Sequence, residues 1–449
     1  MEKNTQLSVM GGGLVGCLLS LYLAKQGYRV DVYERRPDLR RTDIPAGRSI
    51  NLALSDRGWR ALETIGISED IKKVAIPMYR RVMHDKSGHL SFQPYGQEGQ
   101  AIYSVSRGGL NQALLDLAEA QPTISLHFQQ QVLEVEVASN KVTMLDNSAG
   151  QEYQITPDVI FAADGAFSMV RLSLQKTDRF NYEQSYLDYG YKELSIPAAA
   201  DGSWQLEKNA LHIWPRGQYM MIALPNIDGS FTCTLFFPFE GDPSFQSLKT
   251  EAQVHGFFQE IFPDVTALMP ELAQEFFENP TGSLVTVKCF PWSNAGKILL
   301  LGDAAHAIVP FYGQGMNAGF EDCTVLRGLL EEHQGEWETI FKTFQEVRKP
   351  NTDAIADLAV YNFIEMRDKV ADPRFLLQKK IESKITAQYP DAWLPLYSMV
   401  TFSPDLPYSQ ALANGQRQEE MMRQLMEYIQ TEEDYDRPEV QAFLQENLA

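Results

Sequence analysis

The chain has 449 residues, enough for two or three domains with sizeable cores, and its 44% apolar and 22% charged residues read as a packed globular protein. Its 39 Lys and Arg against 59 Asp and Glu leave a formal charge of −20, the wrong field for a nucleic-acid or anionic-membrane partner. Four scattered cysteines (Cys17, Cys233, Cys289, Cys323), no signal-peptide pattern and no apolar run near the roughly 18 residues of a membrane span predict a cytoplasmic protein with no metal site, disulfide framework or transmembrane anchor.

Residues 7–10 form an apolar run into Gly11-Gly12-Gly13-Leu14-Val15-Gly16, followed by a helix over 17–26 and a strand over 28–34. Two strands separated by one helix require a crossover, so this is a β-α-β unit of the parallel, doubly wound kind. A helix over 109–121, strands over 125–128 and 132–137, and a buried strand over 158–163 ending in Asp164-Gly165 continue the pattern. Between 182 and 290 the texture changes. Strands over 218–224 and 231–237 flank Pro225-Asn226-Ile227-Asp228-Gly229-Ser230, which has turn chemistry and predicts an antiparallel second domain. Phe231, Cys233, Leu235 and Phe237 share one face of the second strand while Thr232 and Thr234 share the other, so one face of that sheet covers something. An apolar strand over 297–301, a Gly-rich loop and a helix over about 315–332 return to the first pattern. From 344 onward helical patterns dominate, broken at Pro373, Pro390, Pro395, Pro404 and Pro407, with no internal repeat or low-complexity linker.

Gly11, Gly13 and Gly16 supply G-x-G-x-x-G between strand and helix. The first allows a tight turn, the second lets backbone N–H groups reach a pyrophosphate, and the third lets helix pack on strand. Glu34 ends the next strand, where a carboxylate accepts hydrogen bonds from an adenosine ribose; this pattern serves NAD and FAD alike. Asp164-Gly165, with Ser168 and Arg171 behind it, is a strand ending in a tight turn. Asp303, in Lys297-Ile298-Leu299-Leu300-Leu301-Gly302-Asp303, stands where a carboxylate binds a ribityl hydroxyl or caps a helix. Pro310-Phe311-Tyr312-Gly313-Gln314-Gly315-Met316-Asn317 opens a helix whose positive end suits negative charge on a reduced flavin ring.

In this order the motifs make the chain resemble the single-component FAD-dependent aromatic hydroxylases over about residues 5 to 340, with no second G-x-G-x-x-G for a nicotinamide dinucleotide. Four segments narrow the resemblance to one branch of that family: 47–55, 93–96, 210–215 and 397–403. The fold class this implies is α/β: a Rossmann-like FAD-binding domain (1–75, 101–181, 286–345), a substrate domain with an antiparallel sheet (76–100, 182–285), and a helical C-terminal segment over the substrate pocket (346–449). The resemblance further implies bound FAD, NADPH as a transient co-substrate, and hydroxylation of L-kynurenine to 3-hydroxy-L-kynurenine with O2 through a flavin C4a-hydroperoxide. The alternatives are another aromatic carboxylic acid as substrate, or a flavoprotein that reduces without oxygenating. By resemblance Ala53, Arg107, Leu133, Asp303, Met316 and Asn317 touch FAD, joined by Gly11, Gly13, Gly16, Glu34, Arg35, Asp164 and Gly315 of the motifs. Arg81, Tyr95, Asn362 and Tyr397 hold the substrate's amino-acid end, and no side chain is assigned as a catalytic nucleophile. Tyr312 departs from the family pattern, which has His there.

The residues themselves admit plainer readings. Arg pairs a carboxylate bidentately, but without the resemblance Arg81 beside Arg80 reads by default as a solvated surface charge, since such residues are mostly exposed. Tyr95 is a turn tyrosine and Tyr397 a core residue on the same terms. Asn362 and Glu365 share one helix face, which by default is solvated. His306 reads as structural, and Met421, Met422 and Met426 as packing.

Overall fold

The computed structural model describes residues 3–41, 51–97, 99–368 and 372–448. The part of the 47–55 segment comprising Gly47, Arg48, Ser49 and Ile50 lies outside the described residues. Its first sheet has six strands in the order Ser293–Asn294, Ile298–Leu300, Val159–Ala162, Lys3–Met10, Tyr28–Glu34 and Ile124–Phe128. All pairings are parallel except that of the two-residue edge strand with its neighbour. Parallel strands need helices on both faces, which is why Val159–Ala162 is buried throughout and reads as an unbroken apolar run. The crossover helix is Leu14–Lys25, packed against Arg107–Glu119 and Gly315–His333.

The second large sheet has seven strands: Gly282–Phe290, Asn181–Ile196, Phe231–Pro238, Tyr219–Pro225, Ala210–Arg216, Arg80–His84 and Leu90–Pro94. It is antiparallel except where Ala210–Arg216 runs parallel to Arg80–His84, a join between distant segments that local turn chemistry does not reveal. The hairpin turn forms around Gly229, at φ +91°, with Ser230 donating its N–H to Asp228 Oδ1 at 3.0 Å. Along Phe231–Pro238 the odd positions pack into a core with Val254, Phe258 and Leu272 from the helices Glu251–Ile261 and Leu272–Glu278. The even positions Thr234 and Phe236 face a cavity on the other side. Both faces are therefore covered, and the helices between 251 and 278 interrupt a stretch expected to be sheet.

The C-terminal region is helical: Trp337–Asp368, Pro373–Gln388, Leu396–Thr401, Tyr408–Leu425 and Pro438–Leu448. The long helix starts at Trp337, ahead of the expected 344, because Gly335 at φ +93° makes the preceding turn; Pro350 lies inside it. Pro373 occupies a first helical turn and Pro395 and Pro407 are N-caps. These prolines start helices more than they end them, since a missing N–H costs nothing there. Met422 and Met426 are buried with Ile381, Ile385 and Leu425, and Met421 packs against them.

Candidate active site

A cavity of about 2360 Å³ runs from the carboxyl edge of the parallel sheet, under the seven-stranded sheet, to the C-terminal helices. At its nucleotide end, Gly11 has φ +109°, and a Cβ there would lie 2.3 Å from Ala163 O. A Cβ on Gly16 would lie 1.9 Å from Gly11 O, so that glycine lets the helix sit on the strand and does not line the cavity itself. Gly13 does line it: the helix Leu14–Lys25 has no side-chain cap, and a Cβ on Gly13 would meet nothing within 4 Å. The unpaired N–H groups of that first turn are a ready anion site.

Glu34 lies on the same wall. Gly12 N–H donates to its Oε2 at 2.9 Å, and Arg36 N–H and Nε donate to Oε1 at 3.0 and 2.7 Å. Burial pushes this carboxyl up, but the hydrogen bonds and charge of Arg36 outweigh it and hold Glu34 below the usual carboxylate range. Arg36 is thus a residue that sequence reasoning missed; its neighbour Arg35 is exposed on the cavity wall.

Asp164 accepts N–H bonds from Met169 at 2.9 Å and Val170 at 3.2 Å through Oδ2, while its Oδ1 is buried with no hydrogen-bond partner among the described residues. Burial raises its pKa. Arg171 spans from this loop to Ala304 O, at 2.8 Å, beside Asp303. Asp303 itself is exposed into the cavity from the first turn of Asp303–His306. Ala53, Arg107, Gly315 and Met316 complete this end, and the helix Gly315–His333, like the first, begins without a side-chain cap.

Two further cofactor candidates are, like Gly16, not on the wall. Asn317 is fully buried: its Nδ2 donates to Ala53 O at 2.9 Å and Gly313 O at 2.8 Å, and its Oδ1 accepts from Ser55 N at 3.0 Å. Its amide is spent holding the wall residues Ala53 and Gly313. Leu133 falls on a β-bulge, where Thr143 pairs with Glu134 and Met144 with Val132 and Leu133 is skipped. A bulge re-aims side chains, and Gln131 and Val132 reach the cavity in its place.

At the other end the seven-stranded sheet is a roof whose alternation decides which side chains point in. Leu211, Ile213 and Pro215 of one strand, and Met220, Ile222 and Leu224 of the next, face the cavity, while Trp214, Met221 and Ala223 face the helices. The same alternation separates two adjacent arginines. Arg80 points out, pairing with Glu207 at 2.8 Å and covering Phe92. Arg81 points in, its guanidinium 4.8 Å from the Tyr95 ring centre and 4.2 Å from that of Tyr397, with no carboxylate partner among the described residues. Tyr397 stacks on Tyr95 and on Tyr312, at 5.6 and 5.7 Å between ring centres. The Tyr95 hydroxyl is buried near the Arg81 guanidinium with no partner at hydrogen-bond distance among the described residues, and burial raises the pKa of both Tyr95 and Tyr312. Asn362 lines the cavity and donates Nδ2–H to Phe311 O at 2.7 Å; Glu365 lies on the same face. The cavity-facing roof residues were also missed, although the period-2 pattern of 231–237 carries that signal.

His306 is buried outside this wall, donating from Nε2 to Asp322 Oδ2 at 2.6 Å. Among the described residues no cluster of His, Cys, Asp or Glu could hold a metal, and no helix is long and apolar enough to cross a membrane.

An uncapped helix end beside Gly13, and an Asp164 oxygen and an Asp303 carboxylate with no hydrogen-bond partner among the described residues, fit a dinucleotide, and a second uncapped helix end deeper in the same cavity fits its isoalloxazine ring, so fold and site define an FAD-binding flavoprotein. A family model described as FAD binding domain matches residues 4–359. The tetrameric 2-methyl-3-hydroxypyridine-5-carboxylic acid oxygenase superposes with a TM-score of 0.67 over 83% of this chain and 95% of its own, at 21% identity. Tetracycline destructase Tet(55) does so with a TM-score of 0.64 over 91% and 100%, at 18% identity. Both likenesses speak to fold. Over 443 residues the chain is 51% identical to kynurenine 3-monooxygenase of Flavobacterium johnsoniae (98% of both chains). It is 49% identical to that of Myxococcus xanthus (97% and 93%) and 43% to that of Dictyostelium discoideum (99% and 97%). The chain belongs to the kynurenine 3-monooxygenase family, and is an FAD-dependent monooxygenase.

Proposed function

We propose that the chain hydroxylates L-kynurenine to 3-hydroxy-L-kynurenine with NADPH and O2, in the cytoplasm. The observation that carries the substrate is Arg81: a cation turned into the cavity without a carboxylate partner among the described residues, between two tyrosines, is a built receptor for a substrate carboxylate. Four unpaired, buried cysteines support a reducing compartment.

Bound FAD supplies the electron transfer and oxygen activation. Gly11, Gly13 and the first turn of Leu14–Lys25 hold its pyrophosphate, Glu34 its adenosine ribose and Asp303 its ribityl chain, with Arg35, Arg107, Asp164, Ala53, Gly315 and Met316 along the wall. Gly16, Asn317 and the bulge at Leu133 shape that wall from behind. The corresponding division of the chain assigns 1–75, 101–181 and 286–345 to the cofactor, 76–100 and 182–285 to the substrate, and 346–449 to closure of the pocket. Arg81 takes the carboxylate, Tyr95 offers its unpaired hydroxyl, and Tyr397 and Asn362 fix the amino-acid end, leaving the aromatic ring to the apolar roof of Ile213, Ile222 and Phe236. That roof excludes water, which is what coupling of NADPH use to hydroxylation requires. Positioning and dryness are the protein's whole task, so no side-chain nucleophile or base is assigned. The test is mass-spectrometric detection of 3-hydroxy-L-kynurenine from purified protein, NADPH and L-kynurenine in air. NADPH oxidation that ignores kynurenine, with no hydroxylated product, overturns the reading.

A further inference from the structure

Tyr397 is the second residue of a six-residue helix, Leu396–Thr401, far too short to hold its own position. The end of that helix is capped from another part of the fold. Arg57, on the helix Asp56–Thr64, has a side chain of 0% exposure and does not line the cavity. Its Nε donates to Val400 O at 2.9 Å, one of the last-turn carbonyls that an isolated helix leaves unpaired. Its Nη2 donates to Ser403 O at 3.1 Å and to Leu406 O, and the guanidinium lies 3.9 Å from the ring centre of Tyr408. The remaining nitrogen, Nη1, is fixed by Glu321 Oε1 at 2.7 Å. Glu321 in turn pairs with Arg348, which reaches Asp322, and Asp322 accepts from His306 and from Gly302 N–H, the residue before Asp303. One chain of charged hydrogen bonds, buried except at the half-buried Glu321, thus joins the Asp303 loop to the segment carrying Tyr397.

We infer that Arg57, held by Glu321, is a positioning residue that sets Tyr397 against Tyr95 and Arg81 and so orients the substrate. The inference rests on the kynurenine reading above. A guanidinium that satisfies three carbonyls of one segment while clamped to a carboxylate on the cofactor side fixes both position and angle, which an ammonium cannot reproduce. Misplacement by about 1 Å near the reacting atoms costs up to roughly a hundredfold in rate. Reducing equivalents then leave by the unproductive route, NADPH + O2 + H⁺ → NADP⁺ + H2O2.

The experiment compares wild type, Arg57→Ala, Arg57→Lys, Tyr397→Ala and Arg57→Ala/Tyr397→Ala, each first shown to be folded and loaded with FAD. Four quantities are read: kynurenine KM, hydroxylation kcat, H2O2 formed per NADPH, and hydrogen exchange of amides 396–408. Both Arg57 variants are expected to keep FAD, exchange faster over 396–408, lose roughly tenfold to a hundredfold in hydroxylation, and release most of their NADPH equivalents as H2O2. The double variant should lose no more than Tyr397→Ala alone, because one effect acts through the other. Should neither Arg57 variant fold, Glu321→Gln, which removes the charge fixing the guanidinium, decides by the same readouts. Wild-type KM and coupling in a folded variant, an additive double variant, or a loss confined to melting temperature and FAD content overturns the inference. A wild type that makes no hydroxylated product would sink the kynurenine reading instead, and the exchange data would still judge the clamp.

Discussion

Arg81→Ala should separate substrate recognition from cofactor retention. In the structure its guanidinium sits in the cavity roof between Tyr95 and Tyr397 with no carboxylate of the protein to neutralise it among the described residues. A bidentate pair with a substrate carboxylate comprises two charge-assisted hydrogen bonds, each contributing roughly 1.5 to 3 kcal/mol. Truncation opens room for water, which recovers part of this, leaving a loss of about 3 kcal/mol, or on the order of a hundredfold in kynurenine KM. Arg81 belongs to the seven-stranded sheet and the G-x-G-x-x-G turn to the six-stranded one, so FAD content is expected to hold. The assay is steady-state kinetics with L-kynurenine and with its decarboxylated analogue. Wild type should disfavour the analogue by the same hundredfold, and Arg81→Ala should scarcely distinguish the two. Equal discrimination by both proteins would place the carboxylate elsewhere and return Arg81 to a structural role.

Tyr95→Phe should have effects of opposite sign. The lost hydroxyl is buried with no partner at hydrogen-bond distance among the described residues, so thermal unfolding of the ligand-free protein should rise by up to about 1 kcal/mol of stability while kynurenine KM increases several-fold, as for one neutral hydrogen bond. Asp303→Ala removes a carboxylate exposed to the cavity and should weaken FAD retention by roughly tenfold to a hundredfold in a dialysis titration, with the apo fold unchanged by circular dichroism. Glu34→Ala should match that loss but also destabilise the apo protein, because Arg36 and Gly12 N–H lose their partner. Lys192 is 5% exposed, donates to Asn279 O at 2.7 Å and has its pKa lowered to about 8 by burial among Phe245 and Phe276. Between pH 8 and its ordinary 10.5 the unfolded chain binds this proton and the folded one does not, so stability rises with pH across that window. Lys192→Met should therefore stabilise the protein by about 1 to 3 kcal/mol at pH 7 and abolish that rise in denaturant titrations; an unchanged pH profile would show that the group titrates normally.

What the sequence revealed and what it hid follow from the range of the interactions involved. The β-α-β start was legible because its signals are local: strand Tyr28–Glu34 has the expected bounds, and Gly11 and Gly16 leave no room for a Cβ. Parity along a strand was legible too, in the split of Phe231, Cys233, Leu235 and Phe237 from Thr232 and Thr234. Phase was not, since period 2 says that Arg80 and Arg81 point apart but not which one points in. Val82 and His84 settle it by being buried in the sheet's other face, where His84 stacks on Trp214 at 4.1 Å, and no pattern within 80–84 encodes that partner. The bulge at Leu133 was hidden for a related reason: it exists only in the pairing with Lys141–Asp146, whose register the strand cannot state alone.

The proposed substrate end shows the limit most sharply, because nothing there is contiguous. Arg81 and Tyr95 come from one hairpin, Tyr312 from the short 3-10 helix Pro310–Tyr312, Asn362 from the long helix, and Tyr397 from a six-residue helix that Arg57 caps from across the molecule. Each alone has a plainer reading as surface charge, turn or core. What supports reading them as a receptor is the stack of Tyr95, Tyr397 and Tyr312 at 5.6 and 5.7 Å beside a guanidinium that has no carboxylate partner among the described residues. In that stack the departure at Tyr312 has a physical place. Its phenol is neutral at physiological pH, and burial pushes its pKa higher still, so Tyr312 adds an aromatic face beside Tyr397 and no charge that would compete for Arg81 with the carboxylate of the proposed substrate.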